Sequence, residues 1–318
     1  PKYISEDASI IKNKHNKYSL TDGISEKVYN NIIRQILQKL PNLKEWHDSN
    51  IMNKFDNINW NDSIVKLHDP ENIGKYQSNF YRRLAYDEIL SSFLVHTDIR
   101  KKIKKIKKKG KIFNLKNQNK VLYKLEFNLT NDQKKTLNEI NNDLGSNQKM
   151  FRLLQGDVGS GKTIVALLAA YNVVQSGFQV AIMAPTDILA RQHYKLAKKI
   201  LSNLNISILS SKTENKEKKK ISKEITDNKI DILFGTHSIF QKKILFKNLG
   251  LIIIDEQHKF GVNQRKRLSD KGGNNCDVLL MSATPIPRTL TMTLYGDMDL
   301  SIIKEKPMNR KEVLTYSK

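Results

Sequence analysis

Apolar and polar positions change their period partway along this chain. In "ISEKVYNNIIRQILQKL", residues 24–40, the apolar side chains Val28, Ile32, Ile33, Ile36, Leu37 and Leu40 recur at helical spacing and stop at Pro41. A second helix is expected to begin near Gly74, to include "YRRLAYDEILSSFL", residues 81–94, and to run into "DIRKKIKKIKKKGK", residues 98–111. From Glu126 onward, short apolar runs alternate with helical stretches. The expected strands are Phe151 to Gln155, Gln179 to Ala184, Ile206 to Ser210, Ile230 to Phe234, Leu251 to Ile254 and Val278 to Ser282. Such alternation predicts a parallel sheet covered on both faces, with ligands beyond the C-terminal ends of the strands. "SSKTENKEKKK", residues 210–220, is polar and reads as a solvated loop leading into a helix. The chain therefore divides into a mainly helical region, residues 1–125, and an α/β domain, residues 126–318.

One loop in the second region stands apart. "GDVGSGKT", Gly156 to Thr163, lies between the strand-like "FRLLQ" and the buried helical run "IVALLAAYNVV", which Gly177 ends. A helix N-terminus presents unpaired N–H groups and about half a positive charge, so an anion is favoured there. The spacing G-x-x-x-x-G-K-T fits a phosphate loop in its required strand-to-helix context. Gly156, Gly159, Ser160 and Gly161 would wrap the phosphates, Lys162 would reach the outer two, and the Thr163 hydroxyl would ligate Mg²⁺. The alternative, an ordinary glycine turn with an exposed lysine, does not explain that context. The chain is expected to bind a nucleoside triphosphate.

Composition narrows the partners. The 318 residues carry 55 Lys and Arg against 32 Asp and Glu, a net charge of +23, which suits a polyanion such as nucleic acid. Lysine, asparagine and isoleucine are abundant throughout, as AT-rich coding also produces, so part of the excess has a compositional reading. Eight Lys or Arg residues fall between Arg100 and Lys109; they form either a phosphate-contacting strip or a solvated helix end. A single cysteine, Cys276, excludes an internal disulfide, and the histidines form no metal-ligand spacing, which points to a reducing compartment. No run is long enough to span a membrane, and no secretory signal is visible.

"LIIIDEQH" runs from a buried strand straight into Asp255, Glu256, Gln257 and His258. A carboxylate at the end of a strand beside a phosphate loop is suited to hold Mg²⁺, a role for Asp255. Glu256 is then placed to orient or deprotonate the attacking water. Taken alone, two acidic residues after a strand are usually a loop; the phosphate loop reverses that reading.

These motifs, followed in order by "APTDILARQH" (residues 184–193), "GTHSIF" (235–240) and "SATPIPRT" (282–289), resemble a superfamily 2 helicase motor. "LLQGDVGSGKT", "GTHSIFQ" and "DEQHKFGVNQR" are most similar to the RecG family, which remodels branched DNA. "YSLTDGISEKVYNNIIRQIL" and "RRLAYDEIL" also resemble that family's helical linker. The related transcription-repair coupling factor shares "ATPIPRT" but usually reads "DEEH", so Gln257 favours RecG.

The resemblance implies an α/β RecA-like P-loop NTPase domain preceded by the helical linker, using ATP and Mg²⁺. It makes Gln133 the adenine reader, with Phe127 a candidate to stack near the base. It assigns Thr186, Thr236 and His237 to the DNA track. His258, grouped with the nucleotide-binding residues, and Ser282, Ala283 and Thr284 resemble elements that relay the nucleotide state to a partner domain. Lys162, Asp255 and Glu256 would carry catalysis. The expected partner is forked or branched duplex DNA, handled by a monomer in the bacterial cytoplasm. "PKY", residues 1–3, resembles the close of that family's wedge domain, so residues 1–125 are expected to hold the end of the wedge and the linker. The rest of the wedge and a second RecA-like domain are not found among these residues, and the isolated chain is expected to bind nucleotide with little turnover. A coupling-factor-like translocase and a non-catalytic nucleotide-dependent DNA-binding module are the alternatives.

Overall fold

The helical spacing of residues 24–40 becomes α1 (Glu26–Gln38), which Ser25 opens by accepting the Val28 N–H. In this computed structural model the described residues are 16–20, 22–72, 75–210, 213–240, 244–256, 273–284 and 298–307. The chain divides into two compact units, Pro1–Leu94 and Val95–Lys318. No helix among the described residues is long and apolar enough to cross a membrane.

In the first unit, α1 is followed by the single turn α2 (Ser49–Met52), by α3 (Trp60–Leu67) and by the start of α4 (Asn79–Lys105). The apolar face anticipated for α1 does form a stripe, but no residue of the helix is buried. The unit is centred on Met52, Phe55 and Phe80 around Arg83, whose guanidinium is almost wholly inaccessible. Arg83 donates to both Glu45 oxygens at 3.0 and 3.1 Å and to Asp87 at 3.0 Å, while His47 Nε2 meets the other Asp87 oxygen at 2.6 Å. Burial alone would raise the Glu45 carboxyl. Hydrogen bonds from Arg83 and the His47 N–H, with the Arg83 charge, outweigh it and hold the group below the usual glutamate range.

The second unit is built on a seven-stranded parallel sheet in the order β3-β4-β2-β5-β6-β1-β7. Its strands are β1 (Phe151–Gly156), β2 (Gln179–Met183), β3 (Ile206–Leu209), β4 (Ile232–Gly235), β5 (Leu249–Ile254), β6 (Asp277–Ser282) and β7 (Asp299–Ile303). Six correspond to the expected strands. The seventh had no continuous apolar run to announce it: it is an edge strand in which only Ser301 and Ile303 are buried. Before β1 lie α5 (Leu115–Leu122) and α6 (Asn131–Gly145), and between successive strands lie α7 (Lys162–Gln175), α8 (Asp187–Ile200) and α9 (Asn215–Thr226). The polar stretch 210–220 leads into α9, but the helix already begins at Asn215, so the second half of the expected loop is its first turns. Helix α7 is buried from Ile164 through Val173, so it reads as an apolar run rather than a striped one. The result is the RecA-like arrangement expected from the sequence, with helices flanking the sheet.

The basic segment requires a correction. It was expected to extend a helix through Lys111 with its lysines facing solvent, but α4 ends at Lys105. Beyond it, Lys108 and Lys111 turn inward, each placing Nζ 2.6 Å from Asp277 Oδ2 with side chains fully buried. Asp277 Oδ1 accepts the Met150 N–H at 2.7 Å. Arg100 pairs with Asp299, and Lys104 lies 3.9 Å from the same carboxylate. A buried carboxylate at the start of β6 demands cationic partners, and this demand outweighs helix continuation. Lys101, Lys105 and Lys109 remain exposed. The expected boundary at 125/126 falls inside the second unit, to which Lys108 and Lys111 tie the preceding segment.

Candidate nucleotide and nucleic-acid site

The loop after β1 is shaped by backbone that only glycine adopts readily. Gly159 and Gly161 have φ of +79° and +87°, and Gly161 caps α7. A Cβ on Gly161 would stand 2.3 Å from Gln133 Nε2, and one on Gly156 would stand 2.6 Å from Ser160 Oγ. The loop is therefore folded tightly on its own atoms, with the N–H groups of the first α7 turn at its mouth. Ser160 Oγ is buried without a hydrogen-bond partner among the described residues. An orphaned polar atom inside a glycine cradle suits a bound phosphate.

Lys162 folds back over this loop, donating to the carbonyl oxygens of Gly156 at 2.6 Å and Asp157 at 3.0 Å. Burial lowers its pKa, opposed by the charges of Asp255, Glu256 and Asp157. Asp255 and Glu256, which follow β5, are thus acidic neighbours that favour the charged form of the phosphate-loop lysine. Thr163 stands next on α7, half-buried.

Asp255 follows β5 directly. Its N–H donates to the Met183 carbonyl at the end of β2 at 2.9 Å, and its Oδ2 lies 2.8 Å from His193 Nε2. Both side chains are nearly inaccessible. Glu256 has φ of +53°, a left-handed conformation that costs a non-glycine residue about 1–3 kcal/mol. Such strain gathers where a side chain must be aimed.

Gln133 lies in the first turn of α6, where it completes a capping box with Thr130. Its Oε1 accepts the Thr130 N–H at 2.9 Å, and its Nε2 donates to the Ser160 carbonyl at 2.8 Å. Both ends of the amide that was assigned to adenine are thus engaged within the protein, one of them on the phosphate loop. Phe127 remains exposed on the approach to α6.

The residues assigned to the DNA track come together at neighbouring strand ends. The Ala184 N–H donates to the Gly235 carbonyl at 2.9 Å, joining the segment after β2 to the end of β4. Thr186, exposed, caps α8 by accepting the Leu189 N–H at 3.3 Å; Thr236 is half-buried and His237 exposed just beyond β4. At the end of β6, Ser282 Oγ and Thr284 Oγ1 lie 2.9 Å apart, with Ala283 between them half-buried. His258 lies outside the described residues, as does Gln257.

Two connections escaped the sequence reading. Gln155, at the end of β1, donates to the Thr284 carbonyl at 3.1 Å and so joins the phosphate-loop strand to the Ser282–Thr284 turn. His193 reaches Asp255 from α8. It shares that helix's buried face with Ala190, Ala197 and Ile200. A lone histidine on an otherwise apolar helical stripe was the available signal.

Residues 130–293 match the DEAD/DEAH box helicase family. The chain is 46% identical over 260 residues to the ATP-dependent DNA helicase RecG of Aquifex aeolicus, covering 79% of this chain and 33% of that protein. It is 42% identical over 301 residues to the RecG of Thermotoga maritima, covering 94% and 38%. It therefore spans well under half the length of these relatives. A solved structure of RecG bound to a three-way DNA junction superimposes with a TM-score of 0.71 and 40% identity, over 93% of this chain and 40% of that one.

Proposed function

This chain belongs to the DEAD/DEAH box helicases, in their RecG branch, and we propose that it supplies the ATP-binding motor of an ATP-dependent DNA helicase that remodels branched DNA. The reading covers fork reversal and junction migration in recombination and repair, by a monomer in the bacterial cytoplasm. The motor proper is centred on residues 126–318 and takes in the segment tied to it by Lys108 and Lys111, and the helical residues before that segment form the linker.

The supporting observation is the setting of Lys162. Its ammonium rests on two carbonyl oxygens of the phosphate loop while feeling the charges of Asp255 and Glu256. Two neutral carbonyls are weak partners for a buried cation, and phosphate oxygens at the loop would replace them with charged ones. Gly156, Gly159, Ser160, Gly161 and Thr163 complete the cradle. Mg²⁺, held by Thr163 and Asp255, would neutralise charge on the outer phosphates. Glu256 then orients the attacking water, its backbone already held in a strained conformation. Phe127 flanks the base. Gln133 acts first by bracing the loop; contact with an adenine edge requires it to release Thr130 or Ser160.

Thr186, Thr236 and His237 contact the DNA backbone. Small hydroxyls and helix N-termini position a duplex without reading its sequence, which is what a translocase needs. Ser282, Ala283 and Thr284, linked to β1 through Gln155, and His258 relay the state of the nucleotide.

The test is nucleotide binding by the chain and its variants, and DNA-stimulated hydrolysis by a longer chain that adds a second RecA-like domain. Lys162→Ala removes Mg-ATP binding; in the longer chain Glu256→Gln retains binding and loses hydrolysis. A Lys162→Ala protein that is folded and binds ATP as the parent does would refute the assignment.

A further inference from the structure

Asp255 is held from two directions by one short stretch of chain. Its backbone N–H is bound to Met183, the last residue of β2, and its Oδ2 to His193. Between Met183 and His193 the chain leaves the sheet, passes Thr186 and forms the first two turns of α8. Strand end, helix and carboxylate thus close a ring. Because an ionised carboxylate only accepts, the Nε2 of His193 carries the proton in this contact.

This ring has a DNA-facing end. Thr186 lies at the exposed N-terminus of α8, and its hydroxyl oxygen already accepts the Leu189 N–H, leaving the hydroxyl proton for an outside acceptor. Thr186 and His193 are seven residues apart on one continuous helix, about 10 Å along its axis. A shift of α8 at the first is therefore felt at the second.

We propose that His193 is a positioning residue: it holds the Asp255 carboxylate in the orientation a divalent cation needs and carries movements of α8 from the DNA track to the nucleotide site. This rests on the nucleotide site proposed above. A buried histidine that only filled space would not need its ring nitrogen on the one carboxylate assigned to the metal. Partners that orient a metal-ligating group typically alter metal affinity by about 10–100-fold when removed. The His193–Asp255 bond gives an effect of DNA at α8 a direct route to the nucleotide site, and linkage makes that effect reciprocal.

The experiment is titration calorimetry of ATP into the 318-residue chain, once with Mg²⁺ and once with EDTA, each with and without a forked DNA oligonucleotide. It compares the parent with His193→Leu, His193→Asn and His193→Gln. The glutamine amide reaches as far as Nε2, whereas the asparagine amide stops short of Asp255 and keeps a polar group should leucine unfold the chain. In Mg²⁺, the leucine and asparagine variants are expected to bind ATP about 10–100-fold more weakly than the parent. In EDTA they match it, and glutamine restores most of the loss. DNA changes the parent's Mg-ATP affinity, and the leucine and asparagine variants lose that change. The proposal is overturned if the asparagine variant binds Mg-ATP like the parent, if the loss is equal in Mg²⁺ and EDTA, or if the response to DNA survives. A parent that binds no ATP refutes the nucleotide site itself, a result distinct from each of these.

Discussion

Gln133 Nε2 donates to the Ser160 carbonyl at 2.8 Å, so the first turn of α6 braces the phosphate loop. The other end of that amide closes a capping box on Thr130. One side chain therefore holds a helix start and a ligand loop at once.

Gln133→Ala is accordingly expected to weaken ATP and GTP binding alike. Removing the amide leaves a loop carbonyl unsatisfied, worth about 1–3 kcal/mol, which sets an upper range of about 5–150-fold in affinity. Titrations with both nucleotides check it. A collapse of ATP over GTP preference, with GTP affinity unchanged, would assign Gln133 to the adenine edge alone.

Asp277 and its two lysines form a buried cluster with more positive than negative charge. Asp277→Asn removes the carboxylate shared by two buried ammonium groups, leaves them the carbonyls of Asp143, Leu144 and Asn275, and is expected to cost about 3–5 kcal/mol. Lys108→Met leaves Asp277 paired with Lys111 and costs less. Denaturant unfolding of both variants gives the order; an equal or larger loss for Lys108→Met contradicts the picture.

The exposed and buried lysines of residues 100–111 separate by salt dependence. Replacing Lys101, Lys105 and Lys109 with Gln is expected to flatten the dependence of DNA affinity on salt by about 0.9 for each phosphate no longer neutralised. Lys108→Gln leaves the slope unchanged while lowering stability. Fluorescence anisotropy with labelled duplex over a salt series measures the slopes.

Glu45 is an acid-sensitive brace of the first unit. Its folded pKa lies below its ordinary value of 4.5, so the unfolded chain binds the proton more readily. The stability it contributes is present above pH 4.5 and is lost as pH falls through the folded value. Glu45→Gln should therefore lower the melting temperature near neutrality and reduce its fall on acidification, read from thermal melts across that range.

Local pattern by itself determined that residues 126–318 hold an alternating α/β domain, that "GDVGSGKT" joins a strand to a helix, and that Asp255 and Glu256 end another strand. These are short-range properties: periodicity marks an element, and a phosphate loop needs its glycines and lysine within a few positions. Tertiary structure decided which strand ends are neighbours. It brought Ala184 to Gly235, Gln155 to Thr284 and His193 to Asp255, pairs of residues tens of positions apart that no local spacing encodes. It also turned Lys108 and Lys111 out of a helical, solvent-facing pattern and onto Asp277. Their charge was visible in the sequence. The burial that gives it a structural role exists only once β6 has its place in the sheet, because desolvating a carboxylate creates the demand for cations.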